Sequence, residues 1–201
     1  MKKIFLALVL CLSLFVNTGC SFVLIGMLTR VSDKVTDPQK YGDFHRTVEI
    51  PDYYPESLSA YTVNDYCYVI EKNSRLCYEV FVDVTLSENE FSEMLSSVNA
   101  DSRKKSVKDA FHSPGYKDVI FYDEYEFSDE TSFDAVESAH IEKVIYSEAE
   151  SRIIFVLLYI EQYSYYEVEK IEFFKKLKID PSQYSIKNNN AICRFLPRLV
   201  I

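Results

Sequence analysis

The stretch IIFVLLYI at residues 153–160 decides the fold, because apolar side chains occupy nearly every one of its positions. Successive side chains of a strand point to opposite faces of a sheet, so an extended chain of this composition is apolar on both faces. Such a run is typical of a central strand that is covered from both sides or that lies beneath a helix. The sequence therefore predicts that this segment is the most deeply buried.

Further strands are predicted before and around this run. Residues 139–146 and 152–161 enclose the polar turn SEAES and indicate a β-hairpin. The other segments of strand-forming composition are 44–50, 59–70, 76–84 and 119–127. Short connections between strands, without regular alternation of strands and helices, favour an antiparallel sheet.

Two segments have helical patterns. Ser87 and Glu90 have the spacing of a capping box, and apolar residues at helical spacing follow, so a helix is predicted over 88–98. A second helix is predicted over 167–178, ending before Pro181. The predicted fold class is α+β: a single domain at residues 44–201, mainly antiparallel sheet with two helices. Its element order allows a β-β-β-α pseudo-repeat, at 44–98 and 119–178.

The N-terminus has the layout of a secretory signal peptide. Lys2 and Lys3 precede an apolar run at residues 4–16, and the short residues 17–19 lead into Cys20. This arrangement resembles the lipobox of bacterial prolipoproteins. The resemblance implies that the thiol of Cys20 carries diacylglycerol, and that a peptidase cuts just before this residue.

The resemblance places the protein on the extracytoplasmic side of the cell membrane, held there by lipid. Residues 1–19 are then the signal peptide and residues 20–43 the lipidated N-terminus and tether. After cleavage, 31 acids face 20 bases, a net charge of -11 that anionic lipid repels. Two alternatives remain open: a single membrane span over residues 4–28, and secretion without an anchor.

The cysteines fall into three groups. Cys11 leaves with the signal peptide and Cys20 is consumed by lipid. Cys67 and Cys77 lie in two strand-forming runs around a polar turn, and a register that places them opposite each other puts both on the more polar face. An oxidising compartment then allows a disulfide between them, and two free thiols are the alternative. Cys193 is predicted to be a small buried residue.

Composition and motifs exclude several functions. A formal net charge of -9 and a pI near 4.9 give the wrong field for nucleic acid, which binds clustered Lys and Arg. With four glycines in the chain and no Walker loop, GxSxG or GxGxxG motif, nucleotide chemistry is not predicted. We predict no cofactor and no catalytic residue, and the oligomeric state stays open.

Two sets of chemistry-bearing residues have a plain structural interpretation. His45, His112 and His140 lie far apart without metal-ligand spacing, and we predict structural roles for them. An acidic segment suits a solvated loop, although oxygen ligands for calcium or a pair of hydrolytic carboxylates are alternatives. Its members are Asp123, Glu124, Glu126, Asp129, Glu130 and Asp134.

Tyrosine is unusually frequent: the chain has 16 Tyr and 14 Phe but no Trp. Tyrosine suits half-exposed strand positions and is enriched at interfaces, so a Tyr-rich face is a candidate surface for a protein partner. The predicted function is a membrane-anchored binding or accessory module. The alternatives are an envelope hydrolase with carboxylates from separate loops and a structural component of an envelope complex. A deep pocket containing two convergent carboxylates or a His–acid pair would favour the hydrolase, and a flat, exposed aromatic patch would favour binding.

The lipid anchor is tested by Cys20→Ala. We expect the variant to lose its acyl mass and leave the membrane fraction, because two or three acyl chains hold a protein on a bilayer. Membrane fractionation and intact mass measure both effects, and Cys11→Ala is the matched control. An unchanged mature mass and distribution would show that the chain is not a lipoprotein.

Overall fold

The computed structural model describes residues 32–48, 50–71, 77–110, 113–127, 135–161 and 166–181. The predicted signal peptide, Cys20, the alternative span at 4–28 and Cys193 lie outside these residues. Among the described residues, no helix is long and apolar enough to cross a membrane. The fold is α+β, as predicted.

Strands of the described part of the chain form one antiparallel sheet in the order β1-β2-β3-β7-β6-β5-β4, and β8 pairs with β6. The predicted buried run is β7, which lies at the centre between β3 and β6. The strands are β1 (Ser32–Val35), β2 (Thr62–Glu71), β3 (Cys77–Thr85), β4 (Ser106–Asp109), β5 (Lys117–Phe127), β6 (Ala135–Ser147), β7 (Arg152–Ile160) and β8 (Tyr166–Glu167).

The described α-helices are α1 (Tyr41–His45), α2 (Glu88–Ala100) and α3 (Glu172–Leu177). Helix α2 begins at the predicted capping box. The Glu90 amide donates to Ser87 Oγ at 3.4 Å, and the Ser87 amide donates to Glu90 Oε2 at 3.1 Å. Each bond satisfies an amide at the helix start that has no partner within the helix.

Apolar layers cover both faces of the sheet. On the α2 face, Val82 and Phe155 pack in one cluster with Phe91 of α2. On the α3 face, Phe81 and Val156 pack with Phe173 and other residues of α3. Burying a side chain of this size contributes roughly 1.5–3 kcal/mol. The prediction that β7 is covered on both sides is therefore confirmed.

Residues 44–50 do not form the predicted strand. Asp37 caps a 3-10 helix, Pro38–Lys40, which leads into α1. Tyr41 and Phe44 are three residues apart and therefore share a helical face, where they are 2% and 0% exposed against the sheet. The alternating apolar residues that suggested a strand instead belong to this short helix and the chain after it.

The folded domain also begins earlier than residue 44. Strand β1 pairs with the edge of β2, with Asp33 opposite Ile70. The tether expected at residues 20–43 therefore overlaps the domain: residues 32–43 belong to the sheet and to the helices beside it. Residues 20–31 of the predicted tether lie outside the described residues.

Strands β2 and β3 form the predicted hairpin, but the predicted register is wrong. Cys67 lies opposite Phe81, four residues along β3 from Cys77. At about 3.4 Å per residue this offset separates the cysteines by roughly 13 Å along the strands, whereas a disulfide requires Cα atoms within about 7 Å. The structure has no disulfide between Cys67 and Cys77.

The face expected for these cysteines is also wrong. Cys67 and Cys77 are 0% and 3% exposed and belong to the apolar layer under α3. Burial raises the pKa of the Cys67 thiol to about 12. This thiol is therefore protonated at neutral pH and is a packing residue rather than a nucleophile.

The predicted pseudo-repeat at 44–98 and 119–178 is not present in that form, because the first strand of its first half is β1 and not residues 44–50. β1-β2-β3 and β5-β6-β7 are two antiparallel three-stranded units that meet where β3 pairs with β7. The helices break the similarity, because α2 packs on one face of the sheet and α3 on the other. In addition, β4 pairs with β5 at one edge of the sheet, which adds a strand to the second unit.

The second helix is shorter than the predicted span of 167–178. A 3-10 helix, Val168–Lys170, comes first, and Ile171 is extended. Helix α3 then begins where the buried carboxylate of Glu79 on β3 accepts from the amide of Glu172 at 2.8 Å and from the amide of Phe173. A carboxylate at a helix N-terminus is stabilising, so this strand residue fixes the start of α3.

Stability should depend on pH through Glu79, whose pKa burial raises from 4.5 to about 7. The folded chain then holds this proton more tightly than the unfolded chain, so the contribution to stability is fully present below about pH 4.5 and is lost as the pH rises through about 7. In Glu79→Gln we expect that loss to be absent, because glutamine does not ionise.

Denaturant unfolding across this pH range measures the difference in the free energy of unfolding between the native chain and the variant. Glu88→Gln, at an exposed position in the first turn of α2, is the matched control. A pH profile that Glu79→Gln leaves unchanged would contradict the role of this carboxyl.

Candidate functional site

A cleft of about 710 Å³ opens on the α2 face of the sheet. Its floor is formed by side chains of β3, β7, β6 and β5, which are neighbours in the sheet. Residues 50–53 form one wall, and the last turn of α2 with residues 101–103 forms the other. The cleft is within the size range of small-molecule binding sites.

Four half-exposed rings form a continuous row across these strands, and we call them the aromatic ladder: Tyr78, Tyr159, His140 and Tyr122. Tyr78 stacks on Tyr159 with centroids 5.5 Å apart, and Tyr159 meets the edge of His140 at 5.6 Å. His140 stacks on Tyr122 at 4.0 Å. Three of these rings, Tyr78, His140 and Tyr122, line the cleft, and Tyr159 joins Tyr78 to His140 within the row.

The register explains why the rings meet. Tyr159 is directly opposite both Tyr78 on β3 and His140 on β6. On β5, a register shift between Ile120 and Tyr122 interrupts the alternation. Phe121 therefore joins the core of the α2 face, and its neighbour Tyr122 can lie on the same face against His140.

Glu142 is the buried acid of the cleft, at 3% exposed. The Tyr53 hydroxyl donates to its Oε1 at 2.7 Å, and Nη1 of Arg103 lies 3.3 Å from the same oxygen. Burial raises the pKa of the Glu142 carboxyl, while the Tyr53 hydrogen bond and the charge of Arg103 oppose that rise. These two neighbours hold the carboxyl in place and favour its charged form.

Arg103 is positioned by the end of α2. Asp101, which follows the helix, accepts from Arg103 Nε at 3.1 Å and from Nη2 at 2.6 Å. The guanidinium carbon lies 5.9 Å from the ring centroid of Tyr53 and 5.7 Å from that of Phe121. Its position is therefore fixed by one bidentate carboxylate and two ring faces.

His140 is the titratable ring of the ladder. Its Nε2 lies 3.9 Å from Glu142 Oε2, which is beyond hydrogen-bond distance. Burial lowers the pKa of His140, so the imidazole is predominantly neutral at pH 7. Beside it, Lys105 lies 4.5 Å from the Tyr122 centroid and pairs with Glu124 at 3.4 Å.

The structure does not bring the predicted acidic segment together. Asp123 is on the α3 face, where it forms a buried ion pair with Lys143 at 2.9 Å. Glu124 is exposed on the α2 face and Glu126 is half-exposed. Asp129, Glu130 and Asp134 lie outside the described residues. In the part of the chain that is described, no group of three or more His, Cys, Asp or Glu side chains could hold a metal ion.

The histidines also separate by role. His45 Nε2 is 3.0 Å from the carbonyl oxygen of Pro55, a contact that ties α1 to the following loop. His112 lies outside the described residues, and His140 lies in the cleft.

Comparison with protein-family models, curated proteins and solved structures found no match to this chain.

Sequence reasoning missed Glu142, Arg103 and Tyr53 as members of one site. One signal was available, because His140 and Glu142 are two residues apart on a predicted strand and therefore share a face. No local pattern connects Tyr53 or Arg103 with them, since both come from loops distant along the chain.

Besides its acid and its imidazole, the cleft contains two serine hydroxyl groups. Ser97 and Ser102 line the cleft, but no hydrogen bond among the described residues joins either hydroxyl to His140. The Glu142 carboxyl is already engaged by Tyr53 and Arg103. What remains open to an incoming molecule is the ladder and the polar atoms around it.

Two adjacent tyrosines provide a matched test of the site's buried hydrogen bond. Tyr53→Phe should lower the free energy of unfolding by about 1–3 kcal/mol, because it leaves a buried carboxylate without its donor. Tyr54→Phe should be neutral or stabilising, since among the described residues the buried Tyr54 hydroxyl has no hydrogen-bond partner. Denaturant unfolding measures both, and equal effects would contradict this assignment.

Proposed function

We propose that this chain is a membrane-anchored surface lipoprotein and that its folded domain is a binding module. The lipobox at Cys20 supports the anchor, and the cleft on the α2 face supports the binding role. The aromatic ladder beside the buried Glu142 carboxyl is the observation that carries the second part. A concave, largely aromatic surface with a few fixed polar groups is the usual composition of a small-molecule site.

The proposed anchor and the cleft are compatible in space. Eleven residues, 21–31, separate Cys20 from Ser32, the first residue of β1. Extended chain of that length reaches at most about 40 Å. The negative net charge of the domain is repelled by anionic lipid, so the cleft can stay accessible to the surrounding solution.

The aromatic ladder favours a binding role because its rings are half-exposed and can contact a ligand. Tyrosine rings offer large contact areas at little conformational cost, and their hydroxyl groups can donate or accept hydrogen bonds. Buried Glu142 supplies a fixed polar group next to them. The floor of the cleft can therefore offer a small ligand both a contact surface, on the rings, and a polar group that fixes its orientation.

An envelope hydrolase is the second candidate, and the His140–Glu142 pair favours it. A neutral imidazole beside a carboxyl with a raised pKa is a pattern found in acid–base catalysis. The separation of 3.9 Å would have to shorten for proton transfer between them. This pair differs from the acidic segment from which the sequence predicted hydrolytic carboxylates.

A fragment screen by ligand-observed NMR tests the binding role on the full chain in detergent. We expect some fragments to bind the native chain and to lose this binding in Tyr122→Ala, because the substitution removes one end of the aromatic ladder. Tyr68→Ala is the matched control: Tyr68 is a half-exposed tyrosine on the same face that packs on Phe44 instead of lining the cleft.

Each outcome of the screen has a clear consequence. Fragments that bind equally to both variants would show that the cleft is not the binding site. Conversion of a fragment to product, abolished by His140→Gln, would favour the hydrolase over the binding module.

A further inference from the structure

The charges that line the cleft are unbalanced. Asp52, Asp101 and Glu142 provide three carboxylates against the one guanidinium of Arg103, a formal charge of -2 with His140 neutral. The chain as a whole is also negative. The cleft and the surrounding field therefore attract cations and repel anions.

Arg103 shows what kind of group this environment holds. Its guanidinium lies against the rings of Tyr53 and Phe121 while its nitrogens face the carboxylates of Asp101 and Glu142. Lys105 is held in the same way, near the Tyr122 ring and Glu124. Two cations of the protein itself thus combine an aromatic surface with a carboxylate in and beside the cleft.

Glu142 offers a further acceptor to an incoming cation. Its Oε1 accepts from Tyr53 and lies 3.3 Å from Arg103 Nη1, whereas Oε2 lies 3.9 Å from the neutral His140 ring, beyond hydrogen-bond distance. A carboxylate that is 3% exposed has lost most of its contact with water. A donor from an ammonium group would replace part of that lost solvation with a charge-assisted hydrogen bond.

We propose that the cleft selects small organic cations, in which an amine or guanidine is carried on an apolar or aromatic body. The body lies on the aromatic ladder, and the cationic group faces Glu142 and Asp52. This inference rests on the proposed binding function. Anions are disfavoured because the only guanidinium of the described lining residues is already held by Asp101.

Three compounds with the same ring and chain length but different charges test the selectivity. Phenethylamine, 2-phenylethanol and phenylacetate are titrated into the full chain in detergent by isothermal titration calorimetry. We expect phenethylamine to bind at least about tenfold more tightly than the alcohol, a factor that corresponds to about 1.4 kcal/mol. Phenylacetate should bind more weakly than either, and added salt should weaken only the amine.

Substitutions locate the selectivity within the cleft. Glu142→Gln should weaken phenethylamine at least about tenfold, the same 1.4 kcal/mol difference, and leave 2-phenylethanol unchanged. Thermal unfolding checks that this variant folds. Asp52→Asn, at an exposed lining residue whose substitution leaves the core intact, should weaken the amine severalfold. Asp109→Asn removes the same charge from exposed β4, outside the cleft, and should have no effect.

The outcomes separate this inference from the proposed function. Equal affinity for the amine and the alcohol, lost in Tyr122→Ala, would overturn cation selection and leave the binding function standing. Tight binding of phenylacetate would also overturn cation selection and leave the binding function standing. Failure of all three compounds to bind at millimolar concentration, together with a fragment screen insensitive to Tyr122→Ala, would overturn both.

Discussion

Pairing of β3 with β7 places two strands of high apolar content side by side at the centre of the sheet, and the other elements depend on this contact. Residues 77–85 pair in an unbroken register with 152–160. Because both strands carry large side chains on both faces, each face must be covered, by α1, α2 and residues 53–58 on one side and by α3 on the other. Each three-stranded unit contributes one of the two strands, so neither unit could bury its apolar edge alone.

The same central strands decide where charges can lie. On β6, Glu142 and Lys143 are consecutive, so the sheet sends one to the cleft and the other to the buried pair with Asp123 on the opposite face. Both side chains are almost completely buried, and each has an oppositely charged neighbour. Removing one member of such a pair is costly, because the remaining charge stays buried. The buried acid of the candidate site is thus held by a central strand, while Arg103 and Tyr53 approach it from loops.

Local patterns predicted the elements whose structure depends on local physics. Local sequence alone determines three of these features: the apolar run of β7, the capping box of Ser87 and the turn after β6. The errors occurred where tertiary contacts decide between two local possibilities. Residues 44–50 alternate like a strand, yet Phe44 gains more burial as part of a helix against the sheet. The start of α3 depends on Glu79, a residue more than ninety positions earlier. The cleft was predictable only in part, because His140 and Glu142 share a strand face whereas their partners come from distant loops.

The two ends of the sheet have a consequence for contacts between copies of this chain. Exposed strand edges are the places where neighbouring chains can join into fibrils. Here both outer strands, β1 and β4, are only four residues long, and each contains a lysine and an aspartate. Such short, charged borders offer few free backbone groups in a row. Close packing of several copies is therefore compatible with each sheet remaining unpaired at its edges.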